Sequence, residues 1–295
     1  MATAINKEIQ EFGGKSNIEL LIAEVDRLIS LPDVYYRLEA LVEVPTSTMD
    51  DFAQVLASDP DLCARLLSLA NSAFYSFPST IESIDRAVQI IGIRQIRELV
   101  LATSIVNIFN DLPLGMVNMK MFWEHSVAVG VLAKAIGQYC RQPHTERYYV
   151  SGLLHDIGRL VMFLKLPQSM HDLLILRESR ELSLHQLEQE QLGYTHGEVG
   201  GELLKSWNIP ASIYEPVHYH HQPEMTLDGS KVIAAVHVAD AWINKNQIGS
   251  SGERFEVMPD QLCMKELNLE SYEMDEIWVL AEDEIGEVYR QFIPQ

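Results

Sequence analysis

The sequence is poor in cysteine: Cys63, Cys140 and Cys263 stand far apart, and no two of them form a CxxC pair. An odd number so placed argues against a disulfide framework or a thiolate zinc site and fits a reducing compartment, each thiol reading as a small core residue. Long apolar runs are missing too. No stretch approaches the roughly 18 residues needed to cross a bilayer, and Met1 to Gly14 lacks the basic start and apolar run of a signal peptide. A cytoplasmic location is therefore expected. Positive charge is scarce, with Lys+Arg 22 against Asp+Glu 42 and a formal net charge of −20. Such a surface repels phosphate backbones and anionic lipids, so neither a nucleic-acid polymer nor a membrane is expected as partner. A local basic pocket for a phosphorylated ligand is still compatible with it. Strand-like alternation is nowhere sustained, and no repeat or low-complexity tract occurs.

What is present is helical periodicity in a chain of 295 residues that is 47% hydrophobic, enough for one large core or two modest ones. Ile81, Ile84, Val88 and Ile91 form one apolar face after Ser79-Thr80, and Ile93, Ile96, Val100 and Thr103 form another beyond Gly92. Leu62, Leu66, Leu69 and Ala73 repeat the pattern behind Asp59-Pro60, where proline suits a first helical position. Prolines cut the rest into helices of ordinary length. An all-α fold follows, with a helical amino-terminal part over residues 1–115 that ends at the loop Asn110–Gly115. A histidine-rich segment covers 116–245, and an acidic helical extension covers 246–295 beyond the loop Asn246–Gly252. In that extension Tyr272, Ile277, Leu280, Ile285, Val288 and Phe292 read as the apolar underside of a solvated acidic helix. Trp123, Trp207, Met116, Met119, Met121 and Met162 read as packing residues.

All ten histidines lie within the segment 116–245, two of them, His171 and His185, on acidic-apolar helices apart from its motifs. At its heart is Gly152-Leu-Leu-His155-Asp156-Ile-Gly158, which places an imidazole and a carboxylate side by side, able to hold one ion together or to bridge to a second. Upstream stands Phe122-Trp-Glu-His125. Downstream come Tyr194-Thr-His196-Gly-Glu-Val-Gly-Gly, then His220-His221, then Val238-Ala-Asp240-Ala. Isolated helical histidines more often serve packing or surface roles, and His144, His171, His185 and His218 are read so. His237, one turn before Asp240, is a candidate to orient that carboxylate.

This order of motifs resembles the HD superfamily of metal phosphohydrolases. It is most similar to the HDOD family of bacterial signalling output domains, to which Asp59–Phe74, Ile81–Val88, Ile91–Arg97 and His196–Pro210 also correspond. The resemblance implies that His125, His155, Asp156 and Asp240 hold a first metal. It also implies that His196, His220 and His221 hold a second, with Asp156 bridging, as in the HD-GYP branch that hydrolyses cyclic di-GMP. Imidazole and carboxylate ligands suit iron, manganese, nickel or zinc, one or two divalent ions, which can bind a phosphodiester and activate water. Arg159, one helical turn beyond Asp156, would offset phosphate charge where HD-GYP proteins usually carry lysine, making Asp156 and Arg159 the catalytic pair. After His221 the chain reads Gln222-Pro-Glu-Met-Thr-Leu-Asp-Gly with no Gly-Tyr-Pro element. This departure speaks against cyclic di-GMP specificity and leaves other phosphohydrolase activity open. Two functions are implied: a metal-dependent phosphohydrolase acting on a phosphorylated small molecule, or a non-catalytic output module that contacts a signalling protein partner.

Overall fold

The computed structural model describes residues 15–110, 118–180, 182–225, 230–253 and 259–293, and these form helices with no strand among them. The chain is all-α, as its periodicity implies. No helix in the described residues is long and apolar enough to cross a membrane. Met1–Gly14, residues 111–115 of the expected boundary loop, Met116 and residues 226–229 after the paired histidines lie outside the described residues.

Packing divides the chain into two compact units: Met1–Ile29 with Pro113–Ile277, and Ser30–Leu112 with Trp278–Gln295. The segments 1–115 and 246–295 expected from composition therefore each contribute to both units. Composition marks where the chain changes character, whereas compact units are set by where it returns to pack.

Helix α1 (Lys15–Val25) belongs to the first unit, and the second begins with α2 (Asp33–Val42) and α3 (Met49–Ala57). Thr48 opens α3 through a reciprocal capping box with Asp51, which satisfies backbone donors that a helix start otherwise leaves unpaired. In α4 (Pro60–Ala70) the Asp59 carboxylate accepts from the Leu62 N–H at 3.0 Å, and Leu62, Leu66 and Leu69 are buried. Ala73 lies past the end of α4 and is half-buried, so it does not extend that face.

Ile81 is likewise not helical. Its backbone is held from both sides by Asn71, whose Nδ2 donates to the Ile81 carbonyl at 2.9 Å and whose Oδ1 accepts from the Ile81 N–H at 2.7 Å. Helix α5 (Ile84–Ile91) starts only after Ser83, whose hydroxyl accepts from the Arg86 N–H. Gly92, at φ 93°, then separates α5 from α6 (Ile93–Asn110), a backbone geometry that side chains with a Cβ rarely adopt.

The first unit is built from α7 (Met119–Tyr139), α8 (Glu146–Leu154), α9 (Ile157–Lys165), α10 (Pro167–Ser179), α11 (Leu184–Leu192), α12 (His196–Ser206), α13 (Ala211–Tyr219), α14 (Lys231–Lys245) and α15 (Gln261–Leu267). Helix α7 packs on α8 and α14, while α12 packs on α9 and α13. Two crossings are glycine-dependent. A Cβ on Gly152 of α8 would fall 2.8 Å from the Gly130 Cα of α7, and one on Gly158 of α9 would fall 2.6 Å from the Gly200 nitrogen of α12. Only hydrogens fit there, so these helices approach backbone to backbone.

The unit division falls within α16 (Ser271–Phe292), between Ile277 and Trp278. Its buried stripe is Met274, Ile277, Ala281, Ile285 and Val288, whereas Tyr272 and Leu280 are each 66% exposed, against the expected apolar underside. The spacing of three and four residues that places Met274 and Ala281 on the stripe puts Tyr272 and Leu280 off it. The Phe292 side chain lies outside the described residues. Trp123, Trp207 and Met162 are buried as expected, but Met121 is exposed. Among the thiols, Cys263 is buried while Cys63 and Cys140 are half-buried.

Candidate metal centre

Most of the site sits at helix ends, where a helix no longer forces adjacent side chains apart. The His155-Asp156 doublet occupies the turn between α8 and α9, not a continuous helix, and the Asp156 side chain does not cap α9. His196 is the first residue of α12, which Thr195 opens through a capping box with Glu198. His220 and His221 lie in the turn after α13. His125 and Asp240 project from within α7 and α14.

These seven residues converge in two groups that meet at Asp156. His125, His155 and Asp240 form one, and Asp156, His196, His220 and His221 form the other. Asp240 Oδ1 lies 3.2 Å from His125 Nε2 and 3.5 Å from His155 Nε2. Asp156 reaches both groups: its Oδ2 is 3.1 Å from His155 Nε2 and its Oδ1 is 3.0 Å from His196 Nε2. All are buried except His221, which is half-buried.

The rings are fixed by their other nitrogens. His155 Nδ1 donates to the Gly152 carbonyl at 2.6 Å, and His220 Nδ1 donates to the Val217 carbonyl at 2.7 Å. His196 Nδ1 donates to Glu188 Oε2 at 2.5 Å. Rings so fixed turn each Nε2 towards the centre, where it is a lone pair once the ring is neutral. His196 Nε2 and His220 Nε2 then face one another across 3.3 Å. Two lone pairs at that distance repel unless a proton or a cation lies between them. Ligands about 2.0–2.2 Å from a shared ion stand roughly 3.0–3.5 Å apart, which is the spacing seen throughout the site. His125 Nε2, His155 Nε2, Asp156 Oδ1 and His221 Nε2 are also buried without a hydrogen bond. Such atoms cost stability when left unsatisfied, and a divalent ion is a group that could satisfy them together.

Electrostatics point the same way. Burial opposes every charge here, yet the Arg159 guanidinium and the His155 and His196 rings hold the Asp156 carboxyl well below the usual range. Against the same burial, His125 and His155 hold Asp240 low. Burial lowers His155, but the Asp156 and Asp240 carboxylates outweigh it and lift the ring to about 10. Burial and neighbouring imidazoles push His220 and His221 well below the ordinary value, leaving both neutral and free to coordinate.

Arg159 is 1% exposed and turned into the protein. Its Nη1 donates to Asp156 Oδ2 at 3.2 Å and to Ser251 Oγ at 2.6 Å, and the guanidinium also pairs with Glu188 and Glu253 at 3.6 and 3.7 Å. His237 does not orient Asp240: its Nδ1 donates to the His220 carbonyl at 2.7 Å and its Nε2 accepts from the Asp260 N–H at 3.0 Å. One turn of separation brings His237 to the α13 end instead. Asp240 is steadied by Asn244 Nδ2, which donates at 2.8 Å.

Three contributors were not legible in the sequence. His185, read as a packing or surface residue, is half-buried with its ring 4.5 Å from that of His221. Glu188 is fully buried, although nothing distinguishes it from the solvated glutamates beside it on α11. The loop after α14 supplies Ser251 to Arg159 and seats Ser250 on α7, its N–H donating to the Met121 carbonyl at 2.9 Å.

The HDOD domain model matches residues 28–223. An uncharacterized protein of Treponema pallidum (strain Nichols) is 25% identical over 201 residues, which take in 67% of this chain but only 38% of that protein's length. The crystal structure of an HDOD domain protein of unknown function from Geobacter sulfurreducens is similar, with a TM-score of 0.69 and 26% identity over 92% of this chain and 95% of that one. A Shewanella amazonensis SB2B protein, provisionally called a phosphohydrolase, shares the fold at a TM-score of 0.71 and 23% identity, over 92% of this chain and 97% of that one. With more than half of its length matched by the family model and its helices following the same path, this chain belongs to the HDOD family.

Proposed function

We propose that the first unit binds two adjacent divalent cations, Fe, Mn, Ni or Zn, and acts on a phosphorylated small molecule as a metal-dependent phosphohydrolase of bacterial signalling. The observation that carries this is the pair of Nε2 atoms of His196 and His220, fixed by their Nδ1 hydrogen bonds and facing each other at 3.3 Å. His125, His155 and Asp240 would hold one ion, His196, His220 and His221 the other, and Asp156 would touch both. Bound there, the ions would supply Lewis-acid polarisation of a phosphate ester and of water. The protein's own part is to hold the imidazoles so that each Nε2 faces the centre, to keep both carboxylates ionised, and to exclude bulk water.

A second reading is a metal-stabilised, non-catalytic output module that relays signals to a protein partner. It is favoured by Arg159, whose guanidinium is fully engaged by protein groups. Metal analysis of protein purified without chelator or histidine tag, followed by a phosphoester screen on parent and Asp156→Ala, separates the two. Turnover in the parent alone supports the hydrolase. A silent parent whose melting temperature falls on Asp156→Ala supports the module. Turnover that survives Asp156→Ala unchanged overturns the site assignment.

A further inference from the structure

Glu188 lies on α11, outside the motifs that mark the site, and its carboxylate is fully buried. A buried carboxylate needs partners, and this one has them on two sides. Oε2 accepts from the His196 backbone N–H at 2.9 Å and from His196 Nδ1 at 2.5 Å. Oε1 faces the Arg159 guanidinium at 3.6 Å. From these distances we infer that Glu188 is the positioning residue of the second ion, fixing His196 as an Nε2 ligand and tying it through Arg159 to Asp156. The inference rests on the reading that His196, His220 and His221 hold an ion.

The chemistry follows from the ring. An imidazole that donates from Nδ1 to a carboxylate can coordinate only through Nε2, and the carboxylate makes that nitrogen a stronger donor. The double grip on backbone and ring also stops the side chain from rotating away from His220. Arg159 bonds Asp156 Oδ2 and lies beside Glu188, so the bridging carboxylate and the carboxylate behind His196 share one cation. This also decides what the cluster of His185, Glu188 and His196 is for. His196 Nδ1 lies 2.5 Å from Glu188 Oε2 and 3.3 Å from Arg159 Nε, so the shorter contact to the carboxylate takes its N–H and the three do not form a third ion site.

Glu188→Gln keeps the shape and removes the charge. Manganese titration of chelator-treated protein should show two equivalents in the parent. In Glu188→Gln the affinity for one equivalent should fall about 10–100-fold with the other unchanged, and Glu188→Asp should recover part of the loss. A parent that takes up no second equivalent overturns the two-ion reading. The role of Glu188 is then still decided by proton NMR of the metal-free protein with nitrogen-15 histidine. The parent should show a far-downfield ring N–H resonance, assigned to His196 by its loss in His196→Gln, and Glu188→Gln should abolish or strongly shift it. A parent without that resonance, or one that Glu188→Gln leaves in place, overturns the inference, as does equal weakening of both equivalents.

Discussion

Gly158 lies against the backbone of His196 so closely that a Cβ added to it would fall 2.0 Å from the His196 carbonyl oxygen. The glycine two residues after Asp156 is therefore what allows α9 and α12 to meet at the depth where Asp156 and His196 share the centre. Gly158→Ala should separate them. The cost is expected at about 3 kcal/mol or more, the upper range for overpacking, because the obstruction is backbone on both sides. Urea unfolding should show the loss, and metal titration of the folded fraction should show the equivalent held by His196 weakened first.

Arg159 compensates three buried carboxylates, those of Asp156, Glu188 and Glu253. Arg159→Met should destabilise the protein by about 3–5 kcal/mol, the usual effect of leaving buried charge unpaired. Arg159→Lys should rescue only a fraction, since an ammonium cannot spread its donors over Asp156, Ser251 and two glutamates. Thermal unfolding of the three proteins side by side checks both expectations. Equal stability of Arg159→Lys and the parent would show that charge alone suffices.

Metal uptake should depend on pH through His155. In the metal-free protein the ring is lifted to about 10, so at neutral pH it carries a proton on Nε2 that an incoming ion must displace. Affinity should therefore rise with pH, by up to about tenfold per unit for one displaced proton, and level off near pH 10. Calorimetry in buffers of different ionisation enthalpy should register the proton released. The sign for metal-free stability is opposite. The His155 contribution is present in full below pH about 6.5, the ordinary histidine value, and is lost as pH rises through about 10.

In the second unit, Asn71 holds the backbone of Ile81 by two hydrogen bonds. Asn71→Ala should cost about 1–3 kcal/mol, because one side chain satisfies both a donor and an acceptor at a segment that lacks helical bonds of its own. Hydrogen exchange should show the Ile81 amide losing protection, while exchange at the metal-centre helices is unchanged.

The helical character of the chain was legible in its apolar spacing, whereas the seven residues that gather at the centre were marked by the resemblance of their motifs, in order, to the HD superfamily and not by any one local trace. What was not legible depends on where a side chain ends up. Glu188 and His185 carry no local mark that separates them from a solvated glutamate and a surface histidine. Spacing places Arg159 one turn from Asp156 and reaches no further. Its partners Ser251 and Glu253 lie some ninety residues on, beyond any periodicity. Ile81 follows a helical pattern yet is held out of the helix by Asn71, a contact that only the folded chain reveals.

The loop after α14 separates possession of the candidate ligands from their enclosure. A Cβ on Gly249 would fall 2.3 Å from the His125 nitrogen, so this late loop seats directly on the turn of α7 that carries the earliest of the seven candidate ligands. A product that stopped at Lys245 would carry the seven candidate ligand residues without the Gly249 contact against His125 and without the Ser251 hydroxyl on Arg159.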